Sequence, residues 1–419
     1  MGHPQGRSCR NPQNTNRVIQ MRDHALKTLQ DFVPKMGLHY ASGRNYDKGA
    51  GRHTSVSCLS PYIRRRLITE EEVVAQALAN HGLDGAEKFI QEVFWRSYFK
   101  GWLERRPSVW RSYRLGLRSD HDTMQTDRAL RRRLTQAEAG ETGIACFDAW
   151  VDELLDTGYL HNHARMWFAS IWIFTLSLPW RLGADFFHRH LLDGDPAANT
   201  LSWRWVAGLH TRGRAYQAKA WNIAKYTNLR FDIGDADLAD PIAPLDYSEP
   251  DGLPRIQRIR DVVTPKPDVP TALLISEEDC SLDAFALSDL NLVGAATISA
   301  SHLRSDLPVA DHVTQFEREA LGDTVSRLSL QADHLTATDS NELARWATEA
   351  GAKQIATAYI PQGPLHDWFE AAAPALNAKG IALCEWRRPW DEAIWPHATA
   401  GFFKVKKQIP KVLESLGLY

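Results

Sequence analysis

Cysteine is scarce in this chain of 419 residues, and its spacing excludes several kinds of site. The five cysteines lie far apart, and none of them forms a C-x-x-C pair. Zinc sites and disulfide frameworks need grouped cysteines, and an iron–sulfur cluster needs four thiolates brought together. We therefore expect no metal site and a protein of the thiol-reducing cytoplasm.

Long apolar runs, targeting signals and nucleotide-binding loops are also missing. The apolar run over residues 166–180 is too short to span a bilayer, and the N-terminus has no signal-peptide core. Neither a G-x-G-x-x-G motif nor a P-loop is present. The net charge is only -2, with a small basic excess before residue 250 that is weak evidence for a polyanion partner. We expect no membrane contact.

The sequence does contain one unusually aromatic stretch, residues 158–205, in which charged residues interrupt an apolar frame. Such a stretch predicts a buried helical centre, where a charge is rarely buried without a partner. If its first part is helical, Asn162, Arg165 and Met166 lie at i, i+3 and i+4 and share one face. That face carries an amide, a cation and a thioether.

The second part of the stretch supplies the opposite charge. Asp193 and Asp195 precede a proline, as is typical of the first turn of a helix, where carboxylates are favoured. Asn199 and Trp203 are i, i+4 neighbours, whereas Trp203 and Trp205 point about 200° apart on a helix that turns by about 100° per residue. The two tryptophans therefore have different surroundings.

The motifs HNHARM, W-R-x-G at Trp180 and LLDGDPAANxxxWRW occur in this order, after an E-x-x-W-R helix that contains Glu92, Trp95 and Arg96. Together they resemble the FAD-binding domain of the cryptochrome/photolyase flavoproteins. Several ordered motifs are far more specific than any single one. The resemblance implies that FAD is the cofactor.

The resemblance also implies roles for individual FAD-binding residues. Arg165 matches the arginine that pairs with the first aspartate, Asp193, beside the isoalloxazine ring. Asp195 matches the second aspartate at the flavin edge, and Asn199 matches the residue that faces N5. The other residues matched to the FAD site are Tyr40, Arg44, Ser57, Ser60, Phe89, Arg96 and Asn162.

A second group matches the pocket in which photolyases hold a flipped pyrimidine dimer of damaged DNA. Trp95 and Trp205 match the paired tryptophans that embrace the dimer, and Glu92 matches the glutamate that hydrogen-bonds its bases. Asn162 and Met166 also have the identities found in cyclobutane-type photolyases. His163 departs from the pattern, because relatives often have arginine there, and this departure puts the substrate in doubt.

Two tryptophans match the chain that passes electrons to FAD during photoreduction. Trp203 matches the member next to the flavin, and Trp180 matches the second member. The region where the family has the third member, residues 127–137, contains no tryptophan. Either another aromatic residue such as Trp150 or Trp172 replaces it, or photoreduction is slower.

The period of the apolar residues changes along the chain. We predict a flexible arm at 1–18, a helical FAD-binding domain at 19–231, a proline-rich linker at 232–270 and an α/β domain at 271–419. Five apolar runs alternate with helical stretches at 311–327, 340–350 and 364–378, which predicts a Rossmann-like parallel sheet. This second domain resembles the antenna domain of the same superfamily, which usually comes first, so the chain looks circularly permuted.

The resemblance makes a blue-light-driven DNA photolyase, a carbon–carbon lyase, the leading interpretation. A cryptochrome-like photoreceptor that binds FAD without repair is the alternative, and a flavin or DNA-binding scaffold without photochemistry is a third. A second antenna chromophore would be compatible with the α/β domain, but the sequence identifies neither such a pigment nor the oligomeric state.

Overall fold

The computed structural model describes residues 20–211, 213–246 and 254–419, so the predicted arm at 1–18 lies outside the described residues. Up to residue 226 the described chain is helical. Its α-helices are α1 (Met21–Phe32), α2 (Leu38–Gly43), α3 (Ser60–Arg64), α4 (Glu70–Gly85), α5 (Glu87–Glu104), α6 (Pro107–Thr126), α7 (Arg128–Glu138), α8 (Ala145–Thr157), α9 (Asn162–Ser170), α10 (Trp180–His190), α11 (Pro196–Val206) and α12 (Ala220–Tyr226).

Local sequence signals set several of these helix ends. Thr69 and Glu72 form a capping box at the start of α4: the Glu72 backbone N–H donates to the Thr69 hydroxyl (3.2 Å), and the Thr69 N–H donates to the Glu72 carboxylate (2.7 Å). Such a box satisfies backbone donors that the first helical turn leaves free. At the start of α9 the imidazole of His161 accepts the backbone N–H of His163.

The aromatic stretch lies at the centre of the helical core. Trp167, Trp172, Trp180 and Trp203 are each at most 2% exposed. Between α9 and α10 the chain makes a π-helical turn at Ile171–Thr175, a local widening that is often found at functional sites. The stretch is thus the buried helical centre that its composition predicted.

The second half contains a five-stranded sheet that confirms the predicted α/β fold. Its strands pair in the order β3-β2-β1-β4-β5, and every pair is parallel. The elements are β1 (Thr271–Ser276), β2 (Leu292–Ser299), α13 (Asp311–Arg327), β3 (Asp333–Thr336), α14 (Glu342–Glu349), β4 (Gln354–Ala358), α15 (Pro364–Ala378) and β5 (Ala382–Trp386).

The last residues of the chain return to the helical half. They form α16 (Pro389–Ile394), α17 (Phe403–Lys406) and α18 (Ile409–Ser415). Trp390 and Trp395 are at most 1% exposed and belong to the same hydrophobic core as the helices of the first half. The domain division at 231 and 271 stays a prediction, and the contacts of α16–α18 have to be included in it.

Three consecutive arginines join the two halves. Arg64 binds Glu278 through both terminal nitrogens (2.8 and 3.1 Å), and the guanidinium of Arg65 lies 2.9 Å from the carboxylate of Glu277. These acids follow β1, beside the point where the strand order reverses between β1 and β4. Doubly wound sheets usually bind ligands in that crevice. Here arginine side chains of the helical half contact this edge.

The proline-rich segment packs against both halves. Gln257 donates its backbone N–H to Arg105 (2.8 Å), and Arg260 forms an ion pair with Glu385 of β5. No α-helix or β-strand occurs in its described residues, 232–246 and 254–270. Within the described residues, no helix is both long enough and apolar enough to cross a bilayer.

Candidate flavin and DNA site

The turn between α10 and α11 carries the two aspartates of the site. Asp195 is the N-cap of α11, and its carboxylate accepts the backbone N–H of Ala198 (2.8 Å). Pro196 follows at the first helical position, where its missing N–H costs nothing. The D-x-D-P sequence therefore fixes a helix start and holds both carboxylates at one end of α11.

The structure brings Arg165 and Asp193 together. The Nη2 atom of Arg165 donates to the Oδ2 atom of Asp193 at 3.0 Å, and the Arg165 Nε–H donates to the Leu160 carbonyl at 2.9 Å. Burial raises the pKa of Asp193, but the guanidinium of Arg165 outweighs this effect and lowers it. Asp193 is thus ionised beside a fixed cation.

Asp195 has a different cation. The Nζ atom of Lys100 on α5 lies 3.5 Å from the Asp195 carboxylate. Burial would raise the pKa of Asp195, but Lys100 and Arg64 act in the opposite direction and lower it to about 2. The same Lys100 lies 3.8 Å from Glu278, after β1. One lysine therefore contacts carboxylates from both halves of the chain.

The loop before α3 meets α5 through an ion pair between Arg44 and Glu92. Both residues were predicted to contact ligands, Arg44 the FAD and Glu92 the DNA lesion. Tyr40 is buried against Phe89, with ring centroids 5.1 Å apart, and burial raises its pKa above the usual range. Tyr40 and Phe89 thus form an aromatic contact close to this ion pair.

Ser57 and Ser60 lie on either side of the start of α3. The Ser57 hydroxyl accepts the backbone N–H of Leu59 (3.4 Å), and the Ser60 side chain hydrogen-bonds to Asp193. Both serines are partly exposed. Hydroxyls at the start of a short helix can donate to phosphate, so their assignment to the FAD pyrophosphate stays a prediction.

Comparison with known proteins identifies this region. Residues 89–232 match a family model described as the FAD binding domain of DNA photolyase. A deoxyribodipyrimidine photo-lyase of Alkalihalophilus pseudofirmus is 33% identical over 200 residues, which cover 46% of this chain and 39% of that protein. The helical part is thus similar to the FAD-binding domain of DNA photolyases. The corresponding enzyme of Streptomyces griseus is 36% identical over 40% of this chain and 35% of its own length.

The chain thus spans about two fifths of the length of these curated relatives of the superfamily. Among solved structures, a bacterial class III photolyase from Agrobacterium tumefaciens gives a TM-score of 0.41 at 25% identity, over 49% of this chain and 42% of that one. A Synechocystis cryptochrome gives 0.42 at 22% identity, over 49% and 43%.

The residues present fit FAD, the cofactor of this superfamily domain. Two buried polar atoms of the site have no hydrogen-bond partner among the described residues, Nη1 of Arg96 and Oδ1 of Asp193, whereas Oδ2 of Asp195 has the Lys100 Nζ atom at 3.5 Å. Buried polar groups are normally satisfied, so unpaired donors and acceptors that cluster around one turn indicate a missing polar ligand. Arg96 and the two aspartates would hold the flavin.

Asn199 and Trp203 lie one helical turn apart on α11, as predicted. The Asn199 amide nitrogen donates to the Ala184 carbonyl at 2.7 Å, which orients the side chain. Trp203 packs edge to face on Phe187 at 5.1 Å. At Gly183 an added Cβ would lie 2.3 Å from the Trp203 ring, so only glycine allows α10 this close to the indole.

The other predicted electron carrier, Trp180, contacts a different ring. Its indole lies 5.8 Å from Tyr113, and its Nε1 atom has no hydrogen-bond partner among the described residues. Of the two residues left open for the third position, Trp172 lies next to Trp203, whereas Trp150 stacks on Trp167 at 5.6 Å and donates to Asp47. Trp172 thus lies beside the predicted first carrier, Trp203, and the choice between Trp150 and Trp172 stays open.

Trp95 and Trp205 each have one aromatic neighbour in stacked geometry. The Trp95 ring lies 4.0 Å from Phe402 with planes 14° apart, and Trp205 lies 5.3 Å from Tyr216 with planes 30° apart. Both tryptophans remain partly exposed, unlike the buried Trp203. The predicted difference between Trp203 and Trp205 is thus visible in their burial.

The three predicted lesion residues of α9 have different surroundings. The Asn162 amide lies 3.9 Å from the Met166 sulfur, so these two side chains meet as their spacing predicted. His163 is stacked on Trp167 and Tyr226, and its Nδ1 atom lies 3.0 Å from the Asn45 carbonyl. Burial lowers the pKa of His163. This neutral, packed imidazole differs from the cation found there in relatives.

Sequence reasoning missed Lys100, Phe402 and the arginines at 64–66 as contributors to the site. Lys100 has no motif, and Phe402 is more than 300 residues from Trp95 along the chain. One signal was available for the arginines: the run RRR at 64–66 has a complementary run EED at 277–279, directly after the first predicted strand. Two short runs of opposite charge can indicate a buried contact.

Proposed function

We propose that this protein is a light-driven lyase that repairs pyrimidine dimers in DNA. When bound, reduced FAD would supply an electron under blue light and recover it after two carbon–carbon bonds of the dimer have broken. The reaction then has no net oxidation or reduction. The relatives named deoxyribodipyrimidine photo-lyase support the proposal, over less than half of this chain.

The proposal rests on the stacking and the partial exposure of Trp95 and Trp205. Each indole is stacked on another ring on one side and is still partly open to solvent. A partly exposed indole held in a fixed orientation suits base stacking, which contributes about 1–3 kcal/mol per base. A dimer that has been flipped out of the duplex offers flat faces for such contacts.

In this proposal the other residues of the site have separate tasks. Arg165 and Asp193 would fix the isoalloxazine ring, and Asn199 would face its N5 atom. An amide cannot donate a proton as a carboxylic acid can, so Asn199 would not act as a proton donor to a bound flavin. Glu92 would exchange part of its contact with Arg44 for hydrogen bonds to the lesion bases.

The photoreceptor alternative is favoured by one observation. His163 is neutral and packed between aromatic rings, where photolyases often have an arginine for the lesion or its backbone. A photoreceptor would need the flavin but not this cation. The cytoplasm remains our prediction for either function.

The decisive experiment is illumination of the chemically reduced protein with an oligonucleotide that contains a cyclobutane thymine dimer. Repair restores the near-ultraviolet absorbance of thymine, and an identical sample kept in the dark is the control. A protein that binds FAD but leaves the dimer intact under blue light would favour the photoreceptor. A protein that retains no FAD would contradict both functions.

A further inference from the structure

The residues after α16 follow α5 in the opposite direction, along the face that carries Trp95. Successive contacts between the two segments run from the end of α5 to its start: Arg106 with Thr399 (2.7 Å), Tyr98 with Ala400 (2.9 Å), Trp95 with Phe402 (4.0 Å between ring centroids) and Lys406 with Glu87 (3.1 Å). Residues 399–406 therefore run along the face of α5 that carries Trp95, and Phe402 stacks on that indole.

Two adjacent phenylalanines in this segment have opposite environments. Phe402 is 4% exposed and stacks on Trp95, whereas Phe403 is 73% exposed. Burial of a phenylalanine side chain contributes roughly 1.5–3 kcal/mol to the stability of the fold, and an exposed phenylalanine does not contribute this free energy. Phe403 is thus an exposed apolar residue directly after the residue that stacks on Trp95.

The surroundings of Phe403 are basic. Residues 398–419 contain four lysines and one glutamate, in a chain whose net charge is -2. Lys406 is paired with Glu87, while Lys404, Lys407 and Lys411 are exposed. An exposed apolar ring in a segment with three exposed lysines is complementary to nucleic acid, which offers base faces between phosphates.

We propose that residues 403–411 are a second DNA contact, next to the lesion pocket. Phe403 enters the base stack beside the flipped dimer and fills part of the space that the dimer leaves. Lys404, Lys407 and Lys411 bind the phosphates on either side of it. This inference rests on the proposed function, and it adds the region of duplex that the protein holds during repair.

The first test separates phosphate contacts from folding. The triple variant Lys404→Ala, Lys407→Ala and Lys411→Ala is titrated with undamaged duplex at several salt concentrations, and its bound flavin is measured by absorbance. Each phosphate contact contributes about 0.9 to the slope of log K against log salt, so the slope should fall by about 2.7. A matched variant, Lys266→Ala, Lys353→Ala and Lys379→Ala, removes three exposed lysines elsewhere and should keep the slope.

The second test addresses the apolar ring. Phe403→Ala should weaken binding of dimer-containing duplex by roughly 5-fold or more, which corresponds to about 1 kcal/mol of lost stacking. Undamaged duplex, whose bases stay stacked, should bind as before. Leu229→Ala is the control, because Leu229 is 79% exposed in another part of the helical half.

The outcomes distinguish this inference from the proposed function. If the wild type prefers damaged DNA and the 403–411 variants bind and respond to salt like it, the inference is wrong and the function stands. If the wild type shows no preference but the triple variant loses duplex affinity, the segment binds DNA in a protein without repair activity. If Phe403→Ala changes the oligomeric state and not DNA affinity, the ring contacts a second copy and the inference is wrong.

Discussion

The indole rings of Trp172 and Trp203 meet edge to face, with centroids 6.2 Å apart and planes at 87°. Both rings are at most 2% exposed, and the π-helical turn carries Trp172. This contact provides a neighbour for the tryptophan predicted to lie beside the flavin. We propose that electrons pass through this contact, since residues 127–137, where the resemblance places a third carrier, contain no tryptophan.

We expect Trp172→Phe and Trp203→Phe each to slow photoreduction of oxidised FAD at least several-fold, because phenylalanine keeps most of the packing but is much harder to oxidise. Chemically reduced protein should keep its repair activity in both variants. Flash photolysis measures the rates. Trp346→Phe, a buried tryptophan in α14, is the matched control, and unchanged rates in all three variants would show that electrons take another route.

The two partners of the Arg165 and Asp193 ion pair are buried to different extents, so we expect their alanine variants to lose different amounts of FAD. Removing one partner of a buried pair costs about 3–5 kcal/mol, because the other charge is left uncompensated. Asp193 is the more buried partner, with 5% of its side chain exposed against 24% for Arg165, so Arg165→Ala should lose more FAD than Asp193→Ala.

Flavin absorbance per protein gives the cofactor content of each variant. The exposed pair Arg345 and Asp339 (3.4 Å) is the control, and alanine at either position should leave the flavin content unchanged. Full flavin content in Arg165→Ala would contradict the assignment of this pair to the cofactor.

Replacing Trp205 should affect the lesion and not the flavin. Trp205→Ala should weaken binding of dimer-containing DNA by about 1–3 kcal/mol, roughly 5- to 150-fold, with little effect on undamaged duplex. Trp221→Ala is the control, since Trp221 is 64% exposed on α12. Titrations at one ionic strength measure both affinities, and a variant that keeps the preference for damage would make the photoreceptor the better interpretation.

His161 predicts how stability changes with pH. Its Nδ1 accepts the backbone N–H of His163, and its Nε2 lies 3.0 Å from the Arg44 carbonyl, so the neutral imidazole satisfies both contacts and a proton on Nδ1 would break the first. Burial lowers its pKa to about 3, against about 6.5 in the unfolded chain. Because the unfolded state binds the proton more readily, stability should fall as pH decreases from about 6.5 towards 3.

Urea denaturation between pH 7 and 4 measures this slope. His161→Asn keeps an acceptor for the His163 N–H and removes the titration, so the slope should decrease by up to about 1.4 kcal/mol per pH unit. His39→Asn changes an exposed histidine and should not alter it. An unchanged slope in His161→Asn would assign the acid sensitivity to other groups.

Local signals made much of this fold predictable. Residues 311–327 and 364–378 were predicted as helices and match α13 and α15. This was possible because the periodicity of apolar residues in a helix or strand depends only on residues that are close together in the sequence. The start of α11 at Asp195 was predictable for the same reason. The assignment of FAD contacts depended instead on the resemblance, and the roles of Tyr40, Ser57 and Trp180 stay predictions.

Contacts between distant parts of the chain were not predictable in this way. Nothing near Trp95 indicates that Phe402 stacks on it, and nothing near Asp195 indicates that Lys100 reaches both it and Glu278. Such pairs follow from how the two halves dock, and a single sequence carries only a trace of that docking, as in the opposed runs at 64–66 and 277–279.

The arginine run at 64–66 also affects when the N-terminal half can fold during translation. Arg66 binds Asp279 and Asp391, which are 213 and 325 residues further along the chain. During synthesis the N-terminal half leaves the ribosome long before these carboxylates exist, so the buried Arg66 then keeps Glu70 (3.1 Å) but lacks two of its carboxylate partners, and the loss of partners of a buried charge is destabilising. The flavin-binding half should therefore stay open until translation is nearly complete, and a nascent chain stalled before Asp391 should be sensitive to protease and unable to retain FAD.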